Sequence, residues 1–427
     1  MATPIRESDP RQRSVRMSAG SRTTRPHQHA ARRACVAAAL FLIVLSVQGQ
    51  SRSWVGTWAT PPMRGDAAPR LAGTTLRQIV HTSVAGDQLR IRISNLYGEH
   101  PLHIENVHVA LRKSGSSIAA GSDRKLLFGA QAAVVIAPGS SALSDAVAFS
   151  APALSDLAIS FYLPDPAGSV TFHPDAHQTS YIADGNVSAQ PDLPETTPTG
   201  SIWFLTNVDV RGRGVRGAVV TLGASITEGY AASANAPDRW PDVLAQRLVQ
   251  AGIHIGVLNE GISGNRLLVE GAGPSAEERF ARDVLDQPGV RWVIFSDDPI
   301  NDLGSTRPPP AAEALIAATR RLIAKAHAKR IRFFCSTLTP YQGANYWRPQ
   351  EEAAREQFND FVRSGRSGCD GVIDQDRATH DPARPAWFLA ADDSGDHLHP
   401  NDAGHKAIAD AVDLSLFSMP AKDHAGR

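Results

Sequence analysis

Near residue 210 the hydrophobic pattern of this 427-residue chain changes its period, and few architectures accommodate both halves. From Trp54 to about Val210, apolar and polar residues alternate, most clearly in Leu89-Arg-Ile-Arg-Ile93, Ile104-Glu-Asn-Val-His-Val109 and Leu157-Ala-Ile-Ser-Phe161. Period two marks strands with one buried face. Gly and Pro breaks, such as Ala137-Pro-Gly139 and Pro164-Asp-Pro-Ala-Gly168, separate these segments, and no ten-residue helical stripe interrupts them. The expectation for residues 54–210 is an all-β sandwich or jelly roll. After a Pro-rich stretch at 190–199 and one more strand at 202–208, the apolar runs become continuous: 218–222, 255–258, 292–295 and 331–334. Helical patterns at 240–249, 311–328 and 350–362 accompany them. Buried strands alternating with helices predict a parallel sheet covered on both faces, an α/β domain over residues 211–420. Ligands of such sheets sit at the carboxyl ends of the strands, so the chemistry belongs directly after the apolar runs.

The N-terminus reads differently. The apolar run Cys35–Val47 is thirteen residues long and follows Arg32-Arg33. It is too short to cross about 30 Å of hydrocarbon. The pattern is that of a signal peptide over residues 1–49, with Val47 and Gly49 small enough for cleavage after Gly49, Met17 as a candidate start, and an uncleaved anchor as the alternative. The expectation is a secreted or periplasmic protein with no membrane association once the leader is removed. Beyond residue 49 the chain carries 35 basic and 41 acidic residues, net −6. Nucleic-acid binding needs a basic face, so no nucleic-acid partner is expected; Arg211, Arg213 and Arg216 read as a solvated connector. No H-E-x-x-H and no paired C-x-x-C occurs, so neither a metal nor a cofactor is expected. His81, His100, His103 and His108 fall in alternating strand regions and are expected at the surface. An oxidising compartment would permit Cys335 and Cys369 to bridge. Because Cys335 ends an apolar strand, a buried free thiol is the expectation.

Directly after the first continuous run stands Gly223-Ala-Ser225-Ile-Thr-Glu-Gly229, which puts a hydroxyl in a strand-to-helix turn where backbone N–H groups can face a developing anion. Ser225 is the candidate nucleophile, although a lone Ser there is also an ordinary helix cap. Near the C-terminus, Asp396-His-Leu-His399-Pro-Asn-Asp-Ala-Gly spaces a carboxylate so that it can hold one nitrogen of His399 and leave the other for Ser225. His397 is the competing base. Two further strand ends supply candidate oxyanion donors: Gly264, in Asn259-Glu-Gly-Ile-Ser-Gly264-Asn-Arg, through its backbone N–H, and Asn301, in Pro299-Ile-Asn301-Asp-Leu-Gly, through its side-chain amide.

Taken in order, Ser225, Gly264, Asn301, Asp396 and His399 resemble the motif blocks of the SGNH (GDSL-type) hydrolases, spread over about 200 residues. The resemblance implies a flavodoxin-like three-layer α/β/α fold, with Ser225 as nucleophile and oxyanion donor, Gly264 and Asn301 as further donors, His399 as base and Asp396 as its orienter. Trp54-Val-Gly-Thr-Trp-Ala and Thr75-Leu-Arg-Gln-Ile-Val-His-Thr resemble a secreted arylesterase-like branch in which a β domain precedes the hydrolase. Two departures stand out. Ala224 replaces the usual Asp of the first block, so the bracing such a carboxylate gives the turn must come from elsewhere or be absent. Pro299 replaces the Gly of the third block, which predicts a different loop path, and the preceding Asp297-Asp298 read as loop solvation. The α/β-hydrolase elbow G-x-S-x-G fails, because position 227 is Thr and the acid stands three residues from His399. The expected activity is hydrolysis of carboxylic esters, with short acyl groups and acetylated polysaccharide as the substrate class. The alternative is a carbohydrate-binding protein whose hydrolase domain has lost activity.

Overall fold

The alternating segments become strands because alternation lets each bury one row of side chains. In the computed structural model, which describes residues 53–65, 71–166 and 168–418, the strand Gly86–Asn95 buries Leu89, Ile91 and Ile93 completely while Arg90 and Arg92 face outward. It is the hub of one antiparallel sheet, running Val55–Ala59, Leu205–Arg211, Gly86–Asn95, Val147–Ala151, with Ser140–Leu143 also paired to Gly86–Asn95. A second antiparallel sheet centres on Thr74–His81, Asp156–Leu163 and Leu102–Ser114. Leu157, Ile159 and Phe161 of that sheet share an apolar core with Leu89, Ile91, Ile93, Val208 and Val210 of the first. On its other face, Ala158 packs with Ile79, Ala110 and Ile118. A short third sheet joins Met63–Gly65, Val170–His173 and Ile202–Trp203. The N-terminal half is therefore strand-rich.

From Ala218 onward all pairing in the main sheet is parallel, in the order Gly256–Gly261, Ala218–Gly223, Val290–Phe295, Arg332–Ser336, Gly371–Ile373. The central strands are buried on both faces, as continuous apolar runs require. The helices Trp240–Gln250, Ala312–Ala328, Pro349–Arg363 and Asp402–Asp410 send Leu244, Leu248, Leu315, Leu322, Phe358 and Ile408 into the same core. Val55 and Ala59 of the first antiparallel strand join that core, and Val257 N–H donates to Ser83 Oγ at 2.9 Å, so the strand-rich region is stitched to the outer strand of the parallel sheet.

Several expectations need correction. Cys335 and Cys369 form a disulfide; the half-buried Cys369 lies beside the strand end at Cys335, so the buried thiol finds a partner. The loop predicted around Pro299 is a helix, Asp298–Ser305, with Pro299 in its first turn, where the missing N–H has no intrahelical partner to lose. His108 is buried beside Asp123, and Arg216 donates to Phe417 O at 2.9 Å. The expected leader, residues 1–49 with Cys35, lies outside the described residues.

Candidate active site

The strand Ala218–Gly223 delivers the chain to a tight turn. Gly223 must lack a side chain there, because a Cβ would occupy the space taken by Thr227 Oγ1 and Asp297 Oδ1. The one-turn helix Ser225–Glu228 follows and ends at Gly229, whose φ of 116° is open to glycine. Ala224 offers no side-chain cap. The bracing comes from Asp297, at the end of the neighbouring strand: its Oδ2 accepts from Ile226 N–H at 2.9 Å and its Oδ1 from Thr227 Oγ1 at 2.5 Å. Asp297 and Asp298 are buried, at 2% and 0% exposure, which overturns the reading of this pair as loop solvation.

The geometry brings Ser225, His399 and Asp396 together. His399 Nε2 lies 2.9 Å from Ser225 Oγ, and His399 Nδ1 lies 2.6 Å from Asp396 Oδ2. The other Asp396 oxygen accepts the backbone N–H groups of Leu398 and His399, both at 2.9 Å. Partial burial pushes the Asp396 carboxyl up, but its bonds to the His399 ring and to these backbone groups outweigh that and hold it well below the usual carboxylate range. The ring of Tyr230 lies against His399, centroids 4.2 Å apart. His397 is engaged elsewhere: its Nδ1 lies 2.6 Å from Asp393 Oδ2 and its ring meets Trp387 edge-on.

Gly264 sits at φ 77°, a left-handed turn that favours glycine. Among the described residues, no acceptor takes the backbone N–H of Ser225 or of Gly264. Asn301 lies on the helix Asp298–Ser305; Nδ2 donates to Asn265 O at 3.0 Å, and Oδ1 accepts from Tyr346 Oη at 3.3 Å. Burial pushes the Tyr346 phenol up, so it remains a donor and fixes which way the amide points. Asn301 is thus tied to the residue next to Gly264.

Two groups under these loops escaped the sequence reading. The buried guanidinium of Arg279 donates to Gly223 O (3.0 Å), Glu260 O (2.7 Å) and Asn265 Oδ1 (2.9 Å), and lies 3.6 Å from Asp298. It ties together the ends of three strands. Asp302 accepts Leu267 N–H at 2.5 Å and Leu268 N–H at 3.0 Å, anchoring the far side of the Gly264 loop. Nothing in Ala276-Glu-Glu-Arg-Phe280 distinguishes Arg279 from a surface helical residue. For Asp297, its place at the end of an apolar run was the available signal.

Comparison with known proteins finds a family match in the C-terminal region. Residues 221–407 match the GDSL-like lipase/acylhydrolase family. No curated protein matches the chain. Among solved structures, similar ones include a protein of the lipolytic G-D-S-L family from Desulfitobacterium hafniense (22% identity, 45% of this chain and 96% of that one, TM-score 0.36). Another is a GDSL-like lipase from Bacteroides thetaiotaomicron (16%, 47% and 88%, 0.37). A third is a catalytic variant of an acetylxylan esterase from Geobacillus stearothermophilus (20%, 46% and 93%, 0.35). The C-terminal region of this chain, residues 221–407, is a GDSL-like lipase/acylhydrolase domain of SGNH hydrolase fold.

Proposed function

We propose that the protein is a serine esterase that hydrolyses short-chain carboxylic esters through an acyl-enzyme intermediate. The observation that carries this reading is the hydrogen-bonded chain Ser225–His399–Asp396, which joins residues 174 positions apart in sequence. In the proposed mechanism Ser225 Oγ attacks the ester carbonyl as His399 Nε2 takes its proton. Asp396 stays ionised, holds the Nδ1–H tautomer and stabilises the imidazolium. The backbone N–H groups of Ser225 and Gly264 and the Asn301 amide receive the oxyanion. His399 then returns the proton to the leaving alcohol, and in a second cycle activates water to release the acid.

Support for an active site, against the reading as an inactive carbohydrate-binding protein, comes from the turn itself. Asp297 supplies the bracing that Ala224 cannot, and Pro299 fits the first turn of its helix. The proposed preference for short acyl groups fits a sequence without a long apolar lid segment, and acetyl groups on polysaccharide are the proposed substrate class. We also propose export with cleavage after Gly49; the Cys335–Cys369 disulfide suits an oxidising compartment. Initial rates on aryl esters of graded acyl length, and acetate release from acetylated xylan, test the function. Activity highest on acetyl esters and abolished in Ser225→Ala is expected; equal rates for wild type and Ser225→Ala would overturn it.

A further inference from the structure

Glu228 closes the helical turn that begins at Ser225, and its carboxylate is buried where three segments meet. Oε1 accepts Ser263 N–H at 3.1 Å, and Oε2 accepts the Ser263 hydroxyl. Ser263 immediately precedes Gly264. From the other side His173, at the end of the strand Val170–His173 in the strand-rich region, brings Nε2 to 3.0 Å from Glu228 Oε1. His173 Nδ1 lies 3.1 Å from Pro61 O. The His173 ring is therefore wedged between Pro61 O on one side and the buried Glu228 carboxylate on the other. Burial pushes the Glu228 carboxyl up, yet the contacts from His173 and Ser263 hold it below its ordinary value. The far side of Gly264 is anchored independently, through Asn265 and Arg279. On the near side Ile262 N–H donates to Gly223 O at 3.1 Å, and Ser263, next to Gly264, is held by Glu228.

Resting on the esterase reading above, we propose that His173 is a positioning residue: through Pro61, His173, Glu228 and Ser263, the strand-rich region sets the place of the Gly264 N–H relative to Ser225. On this view that region is part of the catalytic apparatus and not only a holder of substrate. A buried carboxylate that loses the ring packed against it must find other contacts, and Ser263, bonded to both of its oxygens, shifts with it. Small displacements of an oxyanion donor act on turnover, because the donor meets the substrate oxygen most strongly in the transition state.

The test is steady-state kinetics on an aryl acetate with full-length wild type, Ser225→Ala, His173→Ala, His173→Gln and Ser263→Ala. Activity in wild type that is lost in Ser225→Ala establishes the esterase reading separately. Given that, His173→Ala is expected to lower kcat about tenfold to a hundredfold with KM within about twofold, and His173→Gln, whose amide places a donor near the position of Nε2, to recover part of the loss. The double variant of His173→Ala with Ser263→Ala is expected to be little worse than the poorer single one, since both act through one contact. A His173→Ala enzyme with unchanged kcat overturns the proposal, as does a loss that falls on KM alone or one that adds fully to that of Ser263→Ala. If His173→Ala does not fold, the proposal stands or falls on whether kcat drops in Ser263→Ala and His173→Gln at unchanged KM.

Discussion

Asp297 shows how one carboxylate can do from a neighbouring strand what the first motif block does not supply. Its two bonds reach Ile226 and Thr227, some seventy positions earlier in sequence, and fix the turn that presents Ser225. Asp297→Ala would leave a buried backbone N–H and a hydroxyl without partners, at a cost of about 2–3 kcal/mol. We expect a lower Tm in thermal unfolding and a kcat reduced about tenfold or more on an aryl acetate, with KM little changed; unaltered kcat would show that the turn holds itself. At this scale the sequence was partly legible. Ser225, Asp396 and His399 are readable because the spacing of short segments reveals a possible local geometry. The brace was not, because a contact across seventy positions leaves no periodicity, and two adjacent Asp residues after a strand look like an exposed turn.

Among the elements, the continuous apolar runs predict the parallel strands closely, because burial on both faces leaves no alternation to misread. The strand Gly371–Ile373 is too short to leave a pattern, and the helix Asp298–Ser305 was hidden by Pro299, which reads as a breaker unless it is known to occupy the first turn. That helix carries a testable charge. Complete burial, with smaller contributions from Asp297 and Asp302 against the opposing pull of Arg279, raises the Asp298 carboxyl to about 7. A carboxyl raised in the folded state gives its full stability below the unfolded value of about 4, and loses it as pH rises through 7. Asp298→Asn removes this dependence. Its Tm relative to wild type is therefore expected to climb between pH 4 and pH 8, and a constant difference across that range would contradict the assignment. Asp302, raised to about 6 mainly by burial, is present in both proteins; it differs between them only through its repulsion with Asp298, whose loss acts in the same direction.

For the whole molecule, the change of rhythm near residue 210 coincides with the passage from antiparallel pairing, ending at Arg211, to parallel pairing, beginning at Ala218. Illegible in the sequence was how closely the two regions are joined: Val55 and Ala59 contribute to the core of the parallel sheet, yet nothing in Val55-Gly-Thr-Trp-Ala59 marks them for it. The Cys335–Cys369 bridge likewise depends on where distant segments meet. It closes a loop of 34 positions, and the loss of such a bridge costs about 2–4 kcal/mol. The double variant Cys335→Ser with Cys369→Ser should have an unfolding free energy lower by about that amount in denaturant titration, and the oxidised wild type should show no free thiol at these positions; two titratable thiols there would refute the pairing.

The central claim is that His399, oriented by Asp396, makes Ser225 a nucleophile. Peptide mapping by mass spectrometry after brief treatment with a fluorophosphonate tests it most directly, on wild type, Ser225→Ala, His399→Ala and His397→Ala. The account predicts a single adduct on Ser225 in wild type and His397→Ala, none in Ser225→Ala, and labelling slowed by orders of magnitude in His399→Ala. An adduct on another residue, or labelling of Ser225 that survives His399→Ala but fails in His397→Ala, would contradict it.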